Sequence, residues 1–346
     1  MTTNDPAVPA PRPEAPLLQV ADLHVRFRVR GRDVRAVNGL SYTLAEGETV
    51  AILGESGSGK SVAAQAVMGL LDSPPAQVDR GSVRLRGAEL LGLPERRRRA
   101  YRGEHLSMIF QDASTALNPV FTVGDQLAEM YRVHRGLGRR AARDRAVELM
   151  ERVRIPSAGR RLGDHPHRFS GGMRQRVMIA MALALEPDVL IADEPTTALD
   201  VTVQAQIMRL LAALRDELNM GLVLITHDLG VVAGVADRIV VMYAGSVAER
   251  SPVRDLYARP AHPYTRGLLA SVPRLGPRLG SRRAPLVPIA GAPPDPAALP
   301  SGCPFRPRCA RAEAVCAAEA PPLVTVAPGH DSACHFAEEV HGAGTG

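Results

Sequence analysis

The segment Gly54-Glu-Ser-Gly-Ser-Gly-Lys60-Ser61 decides how this chain folds. It satisfies the pattern G-x-x-x-x-G-K-[ST] in full, and it joins two different periodicities. Before it, Thr49–Leu53 is a continuous apolar run, as expected of a strand buried on both faces. After it, Ser61–Leu71 carries a helical pattern. A glycine-rich turn from a buried strand into a helix leaves backbone N–H groups free to close around an anion, and the helix N-terminus adds favourable potential for negative charge. Gly54, Ser56, Gly57, Ser58 and Gly59 therefore form a candidate phosphate cradle. Lys60 is placed to reach the β- and γ-phosphates of a nucleotide, and the Ser61 hydroxyl to ligate Mg²⁺. Of the 42 basic side chains Lys60 is the only lysine, the rest being arginine. A site that needs a compact ammonium does not accept a guanidinium fork.

Outward from this segment, Val189–Ala192, Leu222–Thr226 and Ile239–Met242 are further continuous apolar runs, with helical patterns such as Val203–Asn219 between them. The alternation predicts a mostly parallel α/β core. The chain has 346 residues and 45% apolar content, enough for about two domains with a full core. Its longest apolar run, Val177 to Leu185, is nine residues, whereas a membrane helix needs about 20. No basic-then-apolar leader opens the sequence, so the expectation is a cytoplasmic protein. Residues 1–16 hold five prolines without apolar periodicity and read as a disordered leader. Glu95–Arg102 reads as a basic helix with a solvated face, and residues 251–300 as a loop-heavy connection.

Two downstream stretches complete the chemistry. Val189-Leu-Ile-Ala-Asp193-Glu194 is an apolar strand ending in two carboxylates. Asp193 is placed to hold a Mg²⁺, and Glu194 to polarise an attacking water. Phe169-Ser170-Gly171-Gly172-Met173-Arg174-Gln175 opens a helix that Ser170 can cap. A glycine pair is costly in a helix that merely packs, and makes sense if a phosphate approaches its N–H groups closely.

With these residues in view, the sequence resembles the ATPases of ABC transporters. Residues 54–61 match the Walker A loop. Gln111, in Met108-Ile-Phe-Gln-Asp112, stands at the Q-loop, Phe169–Gln175 at the signature, and Asp193-Glu194 at Walker B. Ala198-Leu199-Asp200 looks like the D-loop, and His227 in Ile225-Thr-His-Asp228 like the switch histidine. The resemblance covers residues 17–270 and implies an α/β P-loop NTPase core of ABC type. It adds an antiparallel β subdomain and a helical subdomain at about 112–185. Residues 271–346 would form a small C-terminal Cys-rich extension. The resemblance also implies that two ATPase subunits sandwich two ATP molecules head-to-tail. In that arrangement Glu194, His227 and Lys60 are the catalytic set. Ser61, Gln111 and Asp193 hold Mg²⁺, Phe27 stacks on adenine, and Ser170, Gly171, Gly172, Gln175 and Asp200 serve the partner's nucleotide.

Finer features resemble the dipeptide/oligopeptide importer branch: Asn118-Pro119, Phe169-Ser-Gly-Gly-Met-Arg-Gln-Arg176, His262-Pro-Tyr-Thr265 and Gly302-Cys-Pro-Phe-Arg-Pro-Arg-Cys309. That branch implies a second, related ATPase subunit rather than a second copy of this chain. It also implies two membrane permease subunits, an extracytoplasmic solute-binding protein, and a place on the cytoplasmic face of the membrane. Nickel or another small solute competes with peptide as cargo.

All four cysteines, Cys303, Cys309, Cys316 and Cys334, lie in the last 44 residues. Their spacing lacks the close pairs that zinc knuckles prefer, and four thiolates suit a [4Fe–4S] cluster; spacing alone leaves cluster, zinc and free thiols open. Some members of the importer branch carry such a cluster here, which makes it the expectation, as a staple for a core-poor tail. His330 and His335 flank Cys334 and read as surface histidines or substitute ligands. A soluble ATPase acting on nucleic acid is the competing reading, with the net charge of +6 and the Cys tail in its favour. The tail lacks clustered aromatics for base stacking and the arginines are spread along the chain, so no nucleic-acid partner is expected.

Overall fold

The computed structural model describes residues 16–29, 31–111, 116–197, 199–271 and 288–343. Residues 1–15 of the expected leader, Asp112 and Ala198 lie outside the described residues. So does 272–287 of the expected connection.

Two sheets carry the fold. The smaller joins β1 (Leu18–Val29), β2 (Arg32–Leu44), β4 (Ala76–Leu85) and β5 (Ala88–Glu89) in the order β2-β1-β4-β5, all antiparallel. The larger is built on β3 (Thr49–Leu53), with β6 (Leu106–Ile109), β7 (Val189–Asp193), β8 (Gly221–Thr226) and β9 (Arg238–Tyr243) parallel to it in the order β9-β3-β8-β7-β6. The four apolar runs read from sequence are β3, β7, β8 and β9, and every residue of β3, β7 and β8 is buried. Three further strands extend the larger sheet beyond β9. They are β10 (Ser246–Pro252), β12 (His330–Ser332) and β11 (Val324–Ala327), all antiparallel. The C-terminal segment is thus built into the main sheet.

The strand interiors alternate between cores. On β7, Val189 and Ile191 face the cluster shared with the small sheet and with α1 (Lys60–Met68). Leu190 and Ala192 face the opposite, helical cluster. On β3, Val50 and Ile52 join the first cluster, while Ala51 and Leu53 join a third. Each buried aliphatic side chain contributes roughly 2 kcal/mol, and a one-residue slip would exchange both faces, so the pattern fixes the register. The helical cluster gathers α3 (Val123–Arg135), α4 (Arg139–Arg152), α5 (Ala158–Arg161) and α6 (Gly171–Leu183) against α7 (Val201–Leu218).

Three expectations need correction. The basic helix α2 (Glu95–Tyr101) keeps its solvated face at Glu95, Arg96, Arg97 and Arg99, but two arginines of the run turn inward. Arg98 donates to the carbonyls of Leu91 and Leu93, and Arg102, just past the helix, donates through Nε to Met68 O at 2.9 Å and through Nη2 to Gly69 O. Arg102 thereby satisfies carbonyls that the C-terminal end of α1 leaves free. The connection after residue 251 is not loop-heavy at its start: α9 (Val253–Ala258) and α10 (Pro263–Ala270) follow β10 directly. The tail is not core-poor. Cys303, Phe305 and Cys316 are buried in the third cluster with Leu53, Val241, Tyr243 and Tyr264, behind the strand that leads into the Gly54–Ser61 loop.

Candidate active site

The Gly54–Ser61 loop leaves the C-terminal end of β3 and becomes α1, as the sequence predicts. Its glycines are required for different reasons. A Cβ on Gly54 would lie 2.3 Å from Met242 O, and one on Gly59 would lie 2.2 Å from Ala36 O. Gly57, at φ +81°, has space around it but holds a left-handed backbone. The close approach of Gly59 to Ala36 brings β2 against the loop. Phe27 sits on the neighbouring β1, paired with Val34 and half-buried against the shared cluster.

Lys60 is only 5% exposed. Its Nζ donates to Gly54 O at 2.7 Å and Glu55 O at 2.9 Å, with Ser58 Oγ at 3.4 Å. Burial lowers its proton affinity, against the nearby carboxylates of Glu194, Asp193 and Glu55. Ser61 Oγ donates to Asp193 Oδ1 at 3.1 Å, joining two of the three expected Mg²⁺ ligands across 132 residues of chain. Burial, with the adjacent Glu194 charge, pushes the Asp193 carboxyl up, against Ser61 and Lys60. A buried carboxylate so destabilised suits a divalent cation, whose remaining ligands would be phosphate and water oxygens. Gln111, expected to join these two as a Mg²⁺ ligand, reaches the neighbouring carboxylate: its Nε2 donates to Glu194 Oε2 at 3.0 Å, which leaves its amide oxygen for a cation.

Glu194 is the point on which two distant segments and its own turn converge. Besides Gln111, Thr197 Oγ1 donates to Oε2 at 2.8 Å, and His227 Nδ1 lies 3.3 Å from Oε1. Burial opposes ionisation of Glu194, yet the hydrogen bonds from Thr197 and His227 and the charges of His227 and Lys60 hold its carboxyl below the usual range. The two neighbouring carboxyls are therefore driven in opposite directions by their surroundings. The Glu194 backbone is in the left-handed region at φ 45°, which costs a residue with a Cβ about 1–3 kcal/mol and concentrates at functional sites. Its N–H is held by Ile225 O at 2.9 Å, in line with the β7–β8 ladder. His227, at the end of β8, has a side chain 62% exposed, and the following Asp228 caps α8 (Leu229–Val232) through Gly230 N–H at 2.8 Å.

The Ser170–Gln175 stretch opens α6 as expected. Ser170 Oγ accepts from Met173 N–H at 3.4 Å, and Ser170 and Gly171 are exposed. The two glycines are not equivalent. A Cβ on Gly171 would meet only Leu199 at 3.6 Å, whereas one on Gly172 would lie 2.7 Å from Val203 Cγ1. Gly172 therefore has a packing reason of its own, the close contact of α6 with α7. Gln175 is buried, and its amide nitrogen finds no partner among the described residues. Asp200 is exposed and caps α7 through Val203 N–H at 2.9 Å.

In the tail, Cys303, Cys309, Cys316 and Cys334 line one cavity of about 20 Å³, closed by Phe305, Phe336 and His335. Burial first, and the neighbouring thiols after it, raises Cys303 and Cys309 above the ordinary thiol range and Cys334 to about 11. The donor chemistry suits a four-thiolate group. Yet among the described residues no three His, Cys, Asp or Glu side chains are gathered closely enough to hold a metal ion. His330 is not a surface residue: it is fully buried, with Nε2 2.7 Å from Glu249 Oε1. Sequence reasoning also missed Thr197 and the contacts of Glu55, a position that the loop pattern leaves unspecified.

Among the described residues no helix is long and apolar enough to cross a membrane. Residues 37–197 match the ABC transporter family, and residues 248–316 match the C-terminal region of oligopeptide/dipeptide transporters. The chain is 51% identical over 334 residues to the oligopeptide transport ATP-binding protein OppD of Salmonella typhimurium, covering 96% of this chain and 98% of that one. It is 55% identical over 329 residues to OppD of Mycobacterium tuberculosis, covering 95% of this chain but 53% of that longer one. Among solved structures, a dimeric ATP-binding cassette in a post-hydrolysis state bound to ADP and Pi superposes with a TM-score of 0.62 at 28% identity, over 68% of this chain and 99% of that chain. With near-full-length identity of 51% and both family regions in order along the chain, the protein belongs to the ATP-binding subunits of ABC transporters, in the oligopeptide/dipeptide branch.

Proposed function

We propose that this chain is the ATP-hydrolysing motor of an importer that carries di- and oligopeptides through separate membrane subunits. The observation that carries the reading is the convergence of Gln111, Thr197 and His227 on Glu194, beside the Ser61–Asp193 pair and the buried Lys60. In this reading the loop N–H groups and Lys60 bind the phosphates, and Ser61, Gln111 and Asp193 hold Mg²⁺. Phe27 packs against the adenine. Glu194, kept ionised, takes the proton of the attacking water, and His227 reports the γ-phosphate. Gln111 is the link between that carboxylate and the membrane subunits.

Ser170, Gly171 and Asp200 are exposed, while Lys60 and Asp193 are buried. This supports a head-to-tail dimer in which the signature helix serves the other subunit's ATP, that subunit being a related ATPase. The buried Gln175 would act through the seating of α6. Two permease subunits, a solute-binding protein and the cytoplasmic membrane face complete the arrangement. Domain bounds of 17–270 for the ATPase and 271–346 for the extension belong to the same reading. So does a [4Fe–4S] cluster on the four thiols, which line one small cavity but would have to draw closer together to hold it. That cluster would supply a cross-link between the tail's loops.

The test is reconstitution of the chain with its membrane subunits in proteoliposomes, followed by addition of peptide-loaded binding protein. Peptide is expected to stimulate hydrolysis. Stimulation by nickel alone, or by nothing, would overturn the peptide assignment. About four irons and four sulfides per chain, purified without air, is the expected cluster result; one zinc or no metal would remove it.

A further inference from the structure

The C-terminal segment touches the phosphate loop through one ion pair that the motor reading leaves unused. Arg308 lies in the tail between Cys303 and Cys309, yet it grips Glu55, the second residue of the loop motif. Nη1 donates to Oε2 at 2.6 Å and Nη2 to Oε1 at 3.0 Å, a bidentate pair spanning 253 residues. The Arg308 side chain is 5% exposed and that of Glu55 is 26% exposed. The rest of the guanidinium is also committed. Nε donates to Ala290 O at 3.0 Å, Nη1 also reaches Tyr243 Oη at 3.4 Å, and the Tyr243 and Phe305 rings lie 5.8 and 6.0 Å from Cζ. Glu55 is held on its backbone as well. Its N–H donates to Tyr264 Oη at 3.0 Å, and its carbonyl accepts from Lys60 Nζ. The carboxylate that Arg308 neutralises therefore belongs to the residue whose carbonyl receives the phosphate-binding ammonium.

We propose that Arg308 is a positioning residue for the phosphate loop: it cancels the Glu55 charge beside the phosphate cradle, so the Cys-bearing tail sets the affinity for ATP. The proposal rests on the reading of that loop as the ATP site. Without the guanidinium, an anionic side chain would stand unpaired where a polyanionic ligand must enter, a penalty of the kind measured when one partner of a charge pair is truncated. An arginine is needed because both carboxylate oxygens are engaged at once, which a lysine cannot do.

A double-mutant cycle on the full chain tests this, with Mg-ATP affinity and the KM-against-kcat split as readouts. Arg308→Ala is expected to weaken ATP binding about tenfold and raise KM in step, with kcat within about twofold. In a Glu55→Gln background the same substitution is expected to cost less than about twofold, because the charge to be cancelled is gone. Equal losses in both backgrounds would mean that Arg308 only props the tail, and would overturn the proposal. So would unchanged affinity in Arg308→Ala while the unmodified chain binds ATP. If Arg308→Ala does not fold, Arg308→Lys takes its place: an intermediate loss, abolished by Glu55→Gln, supports the proposal, and a loss that Glu55→Gln leaves intact overturns it. An unmodified chain that fails to bind Mg-ATP would instead overturn the reading of the site, and the proposal with it.

Discussion

Lys60 and Asp193 are nearly shut from solvent and already bonded within their own chain, whereas Ser170 and Gly171 stand exposed at the start of α6. Both regions begin a helix at a glycine-rich turn, so both offer N–H groups to an anion. They differ in what surrounds them. The phosphate loop has Glu194, Gln111 and His227 gathered beside it, β2 against Gly59, and the tail bonded to Glu55. The signature helix contributes its own cap and little else. One region has most of an enzyme site assembled from its own chain; the other is an exposed surface that, in the proposed dimer, gains chemistry when a second subunit brings a nucleotide to it.

Lys60→Arg attacks the complete side most severely. The wider guanidinium cannot satisfy the Gly54 and Glu55 carbonyls within the same buried volume, and ATP affinity is expected to fall about 10³-fold. Retained affinity in a nucleotide titration would remove the special role of this lysine.

Acid tests the core behind the phosphate loop. His262 caps α10 through Tyr264 N–H at 3.0 Å, and burial lowers its pKa to about 4. Between the ordinary value of about 6.5 and 4 the unfolded chain takes a proton that the folded chain refuses. Stability contributed by this group is therefore complete above 6.5 and drains away as pH falls, by about 3 kcal/mol at the end of the window. His262→Asn, which can still cap the helix, should flatten the fall in thermal midpoint across that range. An unchanged slope would assign the acid sensitivity to other groups.

The signature side is sharpened by two neighbouring substitutions. Gly172→Ala drives a Cβ into Val203 and should cost about 1–3 kcal/mol, read as a lower denaturation midpoint. Gly171→Ala meets only Leu199 at 3.6 Å and should leave stability within about 0.5 kcal/mol while slowing hydrolysis in the assembled transporter. Equal melting with equal activity in both would deny that Gly171 is kept bare for a ligand.

These contrasts explain what could be read from the chain alone. β3, β7 and β8 were legible because strands buried on both faces read as unbroken apolar runs, and the Gly54–Ser61 loop because its residues are consecutive. The gathering of residues on Glu194 was reachable only through the order of separate motifs. The Arg308–Glu55 pair was not legible at all: it joins two segments 253 residues apart, and neither motif says which side chain the other will meet. The place of the tail in the main sheet was hidden for a related reason, since β11 and β12 are four and three residues long and carry no strong alternation. Arg102 and His330 were misread as surface groups because sequence shows charge but not the carbonyls and carboxylate that meet it.

The most direct measurement is turnover and nucleotide binding of Glu194→Gln beside the unmodified chain. The amide keeps the shape of the side chain but cannot take a proton from water. ATP binding should stay within about threefold while hydrolysis falls by about 10²–10⁴-fold, the usual worth of a general base. Hydrolysis near the unmodified rate would contradict the assignment of Glu194, and with it the account of why Gln111, Thr197 and His227 meet there.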